Sequence, residues 1–277
     1  NYISRIKESI KESYESSKGN KKINVDVLGI FYSEHRLFIA SLTQKSEILV
    51  IKDFVDIKIP SSVIGDSQIE NIVEVKKIIN DVSSVFKIKD APILILLGSS
   101  NFTVKTFNEK ELIVFSEDDP KLLSKSPFLP FNTSMQYLQV DGDKFSSYHR
   151  VVYAEKCNIE SWINLLSELK NPILAITNPC IHIIDDISKE KPGKVIVLAD
   201  IESLSTTVYI QNGECELTTY KLPYGSSIYK LESGNLSDSL SERLSKSINF
   251  ILSENNIKSE EVYYTGRGLD GLSSDRN

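Results

Sequence analysis

Apolar residues recur along this chain at two different periods, and the changes of period mark out its elements. Near the start, Ile23 to Tyr32, Arg36 to Leu42 and Ile48 to Ile59 read as strands separated by short polar turns. From Ile69 the period becomes helical. Ile69, Ile72, Val73, Val75, Ile78, Ile79, Val82 and Phe86 fall at helical spacing, with Asp66 or Ser67 placed as N-cap. Ala91 to Leu97 then runs apolar without a break and ends in Gly98-Ser-Ser, as suits a strand covered on both faces. The order is β-β-β-α-β.

The same order returns later. Lys194 to Ile201 reads as a buried strand, and Ser205 to Ile210 pairs with Glu214 to Leu222 around the Gln211-Asn-Gly213 turn. Leu236 to Asn256 is a helix with Leu236, Leu240, Leu244, Ile248 and Ile251 as its core stripe, and Glu261 to Thr265 is a strand. Between the copies lies the Pro-punctuated Ser126-Pro-Phe-Leu-Pro-Phe131. Strands from Met135 to Val140 and Tyr148 to Ala154 follow, then a helix from Asn158 to Leu169, a strand from Pro172 to Thr177 and a helix from Pro179 to Ile187. Ahead of everything, Ile3, Ile6, Ile10 and Tyr14 give residues 2–18 a narrow amphipathic stripe ended by Gly19 and Asn20, and its mixed charges favour packing on its own domain over a lipid surface. The expected organisation is an N-terminal helix over 1–20, a first lobe over 21–125, a small α/β insertion over 126–190 and a second lobe over 191–277.

Composition narrows the function classes. The 277 residues are 40% hydrophobic and 25% charged, ordinary for a globular protein, and a net charge of -6 argues against binding nucleic acid through its phosphates. Cys157, Cys180 and Cys215 are odd in number and show neither a CxxC pair nor a metal spacing with His35, His149 or His182, so buried free thiols in a reducing compartment are expected. No apolar run approaches the roughly 20 residues of a membrane span. Asp141-Gly-Asp143 is explained as a hairpin turn, without calcium. No metal site and no catalytic pair is expected. The chain opens at Asn1 rather than a methionine, as a trimmed fragment would.

A duplicated β-β-β-α-β plan with a small insertion in its first half resembles the actin-like ATPase (ribonuclease H-like) superfamily, and within it the FtsA and PilM branch. The resemblance to the PilM family runs from Asn24 to about Leu272. Gly98 to Thr106 resembles that family's strand-loop-strand after the first long helix, and Phe128-Leu-Pro-Phe131 with Tyr137-Leu-Gln-Val140 resembles its entry into the insertion, with Val152-Tyr-Ala154 as the next strand. Val195-Ile-Val-Leu-Ala-Asp200, Ser205-Thr-Thr-Val-Tyr209, Asn212-Gly213 and Leu222-Pro-Tyr-Gly225 are similar to its second-half hairpin, and Val262-Tyr-Tyr-Thr-Gly266-Arg-Gly268 to its last strand and glycine turn. Family members continue past that turn with a further helix and strands, so the resemblance implies a second lobe incomplete within these residues.

Actin-like ATPases hold phosphates in two hairpin turns, where glycines let the backbone approach and an aspartate in each organises Mg²⁺ and water. In the first hairpin Phe31 stands where the family has aspartate, Ser33 where it has glycine and Phe38 where it has lysine, and Glu34 adds a negative charge. The second keeps Asp200 but has Glu202 in place of glycine. Asp200, Gly266 and Gly268 are what remains of a nucleotide site. Neither ATP·Mg²⁺ binding nor hydrolysis is expected from it.

With catalysis lost and architecture kept, the resemblance implies a scaffold at the inner face of the cytoplasmic membrane. In that family a groove between the first lobe and the insertion takes the N-terminal cytoplasmic tail of the inner-membrane protein PilN, and the assembly couples to pilus motor ATPases. Here Phe102, Val104, Phe131, Tyr137 and Tyr153 are the expected tail-binding residues, combining backbone hydrogen bonds with apolar pockets. The alternatives are a cytoplasmic domain like that of the type II secretion protein GspL, and a working actin-like ATPase.

Overall fold

The computed structural model describes residues 26–45, 48–88, 90–108, 120–140, 148–169, 171–213, 216–227, 236–259, 261–267 and 269. The expected helix over 2–18, the Asp141-Gly-Asp143 turn, Cys215 and Gly268 lie outside them. Its elements begin with β1 (Asp26–Ser33), β2 (Arg36–Lys45), β3 (Ile48–Lys58), the short pair β4 (Ile64–Gly65) and β5 (Gln68–Ile69), α1 (Ile72–Val85), β6 (Ile93–Leu97) and β7 (Phe102–Asn108). Next come α2 (Pro120–Leu123), β8 (Thr133–Val140), β9 (Tyr148–Glu155), α3 (Lys156–Leu169), β10 (Ile173–Thr177) and α4 (Pro179–Glu190). β11 (Ile196–Ile201), β12 (Thr206–Asn212), β13 (Glu216–Leu222), α5 (Leu236–Glu254) and β14 (Glu261–Thr265) complete the order.

These elements form two compact units. In the first, a five-stranded sheet runs β10-β6-β1-β2-β3. The β1, β2 and β3 meander is antiparallel, while β6 and β10 join parallel, as helical crossovers require. Alternation on β6 buries Ile93, Ile95 and Leu97 completely. The start of α1 differs from expectation. Asp66 and Ser67 adopt positive φ (46° and 70°) in the turn between β4 and β5, so the cap falls to Asn71, whose side chain accepts the Glu74 N–H. Helix α3 packs beside that turn: Trp162 Nε1 donates to the Ser67 carbonyl at 2.9 Å and Asn158 Nδ2 to that of Asp66 at 3.2 Å.

The second unit holds two sheets. Its four-stranded sheet, β13-β12-β11-β14, repeats the order of the first: an antiparallel meander with a parallel strand beside its first member. Strand β11 is buried throughout and supplies both cores. Ile196 and Leu198 face Cys180, Ile181 and Ile184 of α4, while Val197 and Ala199 face Ile248, Ile251 and Leu252 of α5. The other sheet, β7-β9-β8, is antiparallel. It is tied to β13 by threonine side chains: Val104 N–H donates to Thr219 Oγ1, and the Leu217 N–H to Thr106 Oγ1, both at 2.9 Å. Arg150 of β9, 4% exposed, donates to both carboxylate oxygens of Asp185 on α4 at 2.9 Å.

The two units divide the chain in a different way from the expected lobes. Residues 99–156 leave the first unit right after β6, 157–177 return to it as α3 and β10, and α4 covers the second unit's sheet. Faces of a strand or helix show in periodicity, but the layer that covers each face does not.

On β14, the Glu261 carboxylate takes charge-assisted bonds from Lys191, Tyr263 and Lys194, which hold it down at about 2. A folded value below the ordinary carboxylate range means this contribution is complete above the unfolded value near 4.5 and is lost as pH falls toward 2. Glu261→Gln is therefore expected to show a smaller fall in Tm than the wild type between about pH 5 and pH 3.

Candidate functional site

Of the nucleotide-site remnants, Asp200 is the penultimate residue of the buried strand β11, on the face toward α4. It is buried itself and accepts a short hydrogen bond from Ser99 Oγ, which follows β6 in a single 3-10 turn. Asn178 Nδ2 donates to Ser99 Oγ at 3.1 Å, while its Oδ1 caps α4 by accepting the Cys180 N–H at 2.8 Å and also receives the Tyr209 hydroxyl at 3.2 Å. Burial and the Asp200 charge push the Cys180 thiol up, so it stays protonated and unreactive near neutrality. Tyr209 is likewise pushed up, first by burial. Among the described residues the carboxylate joins a polar network of Ser99, Asn178 and Tyr209.

Glu202, beyond Asp200, is buried too. Its N–H donates to the Ser205 carbonyl at 2.9 Å, closing the turn, and its carboxylate accepts from Ser205 Oγ at 3.2 Å. Its carbonyl accepts the Ser226 N–H at 2.9 Å, and that of Ser203 accepts the Ser227 N–H at 2.8 Å. The segment after β13 is thus clamped on this turn, and Gly225 lets it approach: a Cβ there would stand 2.1 Å from the Glu202 carbonyl oxygen. Gly266 has a similar reason to be glycine. At φ 102°, a Cβ would lie 2.3 Å from the Ile201 carbonyl oxygen and 2.4 Å from Asp200 Oδ1. Packing against β11 gives Gly266 a structural reason of its own.

In the first unit, β1 and β2 meet in a two-residue turn. Ser33 pairs with Arg36, and Glu34 and His35 take the positive φ values (50° and 60°) for which such turns favour Asn and Gly. Phe31 lies opposite Phe38 in register, and Phe38 stacks on Phe54 with ring centroids 5.3 Å apart. Aromatic side chains brace the hairpin where the family resemblance would put an aspartate and a lysine. Among the described residues no group of three or more His, Cys, Asp or Glu side chains could hold a metal ion.

The expected tail-binding residues divide sharply. Phe102, Val104 and Tyr153 are buried, which corrects their placement in a groove: Val104 packs in the core with Ile184, Leu198 and Tyr209, and Tyr153 packs with Leu122 and Met135 while its hydroxyl donates to the Leu122 carbonyl. Tyr137 lies in β8 opposite Val151, its side chain outside the described residues. Phe131 is 79% exposed, next to Leu129 at 62%. Both are presented by a rigid turn. Pro130 starts a 3-10 turn over Pro130–Asn132, the Asn132 N–H donates to the Leu129 carbonyl at 2.8 Å, and Asn132 Nδ2 donates to Glu155 at 2.9 Å.

Sequence reasoning passed over Ser99, Asn178 and Tyr209, although Asn178 directly before Pro179 was a legible cap signal. It also passed over Lys105, Lys121 and Lys125, which line a cavity of about 600 Å³ between β7, α2 and β13. Lys121 and Lys125 lie four residues apart, but no local pattern joins them to Lys105 on β7.

No family model matches the chain, and no curated protein sequence does. Solved structures do. One described as a PilM-PilN type IV pilus biogenesis complex superposes with a TM-score of 0.67 at 13% identity, covering 90% of this chain and 83% of that one. A Bacteroides thetaiotaomicron protein with an actin-like ATPase fold gives 0.48 at 10% identity, covering 87% and 81%. The cytoplasmic domain of EpsL, an inner membrane component of the type II secretion system of Vibrio cholerae, gives 0.42 at 9%, covering 76% and 75%. The repeated sheet order and the PilM superposition together give this chain the actin-like ATPase fold.

Proposed function

We propose that this chain is a scaffold of a type IV pilus type of assembly, holding the N-terminal cytoplasmic tail of a PilN-like inner-membrane protein at the inner face of the membrane and performing no ATP hydrolysis. The observation that carries the reading is the rigid turn that presents Leu129 and Phe131 to solvent. Large apolar side chains held this exposed by proline and side-chain hydrogen bonds are the anchors that peptide-binding surfaces use. The solved structure of similar fold, a PilM-PilN complex, supports a partner of that kind. The engagement of Asp200 by Ser99 and of Glu202 by Ser205 supports the absence of nucleotide chemistry, because both carboxylates already have partners within the protein. Pilus motor ATPases are further proposed partners.

Synthetic tails of PilN-like proteins, titrated into the full chain by calorimetry, test the reading. One tail should bind, and Phe131→Ser should weaken it about tenfold or more. The Tm should stay within about 1 °C, since an exposed side chain contributes little to the core. Failure of every tail to bind would remove the scaffold reading.

A further inference from the structure

The turn that presents Leu129 and Phe131 is held from within by Pro130, by Asn132 and by Thr133, whose Oγ1 donates to the Leu129 carbonyl at 2.9 Å. It is also held from a neighbouring sheet. Strand β13 turns alternate residues to one face: Thr219 Oγ1 accepts the Val104 N–H, and Lys221, two residues on, reaches the base of the turn. Its Nζ donates to the Ser100 carbonyl at 2.6 Å and stands 5.2 Å from the centroid of the Phe128 ring. Phe128 directly precedes Leu129, and its ring packs against the cluster of Leu122, Met135 and Tyr153. One ammonium group therefore joins β13, the 3-10 turn after β6 and the start of the partner-presenting turn. Partial loss of water holds this ammonium below the ordinary lysine value, and the charges of Glu202 and Glu155 pull the other way. Glu155 is itself tied to the turn, accepting from Asn132 Nδ2 at 2.9 Å.

A carbonyl oxygen, an aromatic ring and two carboxylates all favour a positive charge at this position. An uncharged side chain of the same length would keep the stem contacts and lose the attraction. We propose that Lys221 is a positioning residue whose charge holds the turn from which Leu129 and Phe131 project, and through the turn sets the affinity for a partner's tail. The second half of this role rests on the tail-binding reading; the hold on the turn does not.

The Asn132 N–H, bonded to the Leu129 carbonyl at 2.8 Å, reports on the turn through amide hydrogen exchange of the full chain. Lys221→Met, at an exposed position, should speed that exchange about fivefold and leave the Tm within about 1 °C. Lys221→Arg keeps the charge and should exchange as the wild type does. In a Phe128→Leu background, Lys221→Met should add less, because the ring it loses is already gone. Unchanged exchange in Lys221→Met, or exchange as fast in Lys221→Arg as in Lys221→Met, would overturn the proposal. A PilN-like tail that binds the wild type should bind Lys221→Met about fivefold more weakly and Lys221→Arg equally well, and undiminished affinity for Lys221→Met would overturn the link to binding. Failure of every tail with the exchange result intact would remove the tail-binding reading and leave the hold of Lys221 on the turn standing.

Discussion

Gly266→Ala is expected to lower stability by about 3 kcal/mol, read as a shift in the urea midpoint. The new methyl carbon would lie 2.3 Å from the carbonyl oxygen and 2.7 Å from the nitrogen of Ile201, and 2.4 Å from Asp200 Oδ1. Two of those three atoms are backbone of a fully buried strand, which cannot give way without moving the sheet. The φ of 102° adds strain for any L side chain. Gly213 is the control. It also has positive φ, 66°, but a Cβ there meets nothing within 4 Å, so Gly213→Ala should cost only about 1 kcal/mol. Equal losses at the two positions would show that close approach to β11 is not what keeps residue 266 a glycine.

Trp162→Ala carries the second large effect, about 3–5 kcal/mol. The indole is completely buried in α3, its centroid 6.1 Å from the Tyr32 ring, and its Nε1 donates to the Ser67 carbonyl at 2.9 Å. Truncation would open a large cavity and leave the carbonyl of a positive-φ turn residue without that donor. Trp162→Phe keeps most of the volume and loses the N–H, so its smaller loss would isolate the hydrogen bond. Chemical denaturation of the three proteins checks this; a Trp162→Ala loss near 1 kcal/mol would contradict the packing of α3 in the first unit.

The element order was legible because nearly every strand and helix buries one face, and burial leaves a period in the sequence. Strand β14 lies where Glu261 to Thr265 was expected, and Gly213, at positive φ, turns the chain between the two expected strands. Fainter features had physical reasons to hide. Asp and Ser serve equally as N-caps and as positive-φ turn residues, so residue type alone does not separate the turn at Asp66 and Ser67 from the cap that Asn71 provides. Val104 and Tyr153 sit on strands with apolar residues on both faces, and nothing local distinguishes a face covered by another layer from one left as a groove. For the nucleotide site, the departures at Phe31, Ser33, Phe38 and Glu202 could be read one by one, because a phosphate turn needs particular residue types. The network that engages Asp200 could not, since Ser99, Asn178 and Tyr209 meet it only through the fold.

The central claim is that the actin-like fold has been kept for holding partners while its nucleotide chemistry has been lost. Calorimetric titration of the full chain with ATP·Mg²⁺ to about 5 mM addresses it most directly, since even weak specific binding would then register as heat and as a rise in Tm of the order set by RT ln(1 + [L]/Kd). No saturable heat and an unchanged Tm are predicted. A saturable isotherm with a Kd of about 100 μM or tighter would contradict the claim.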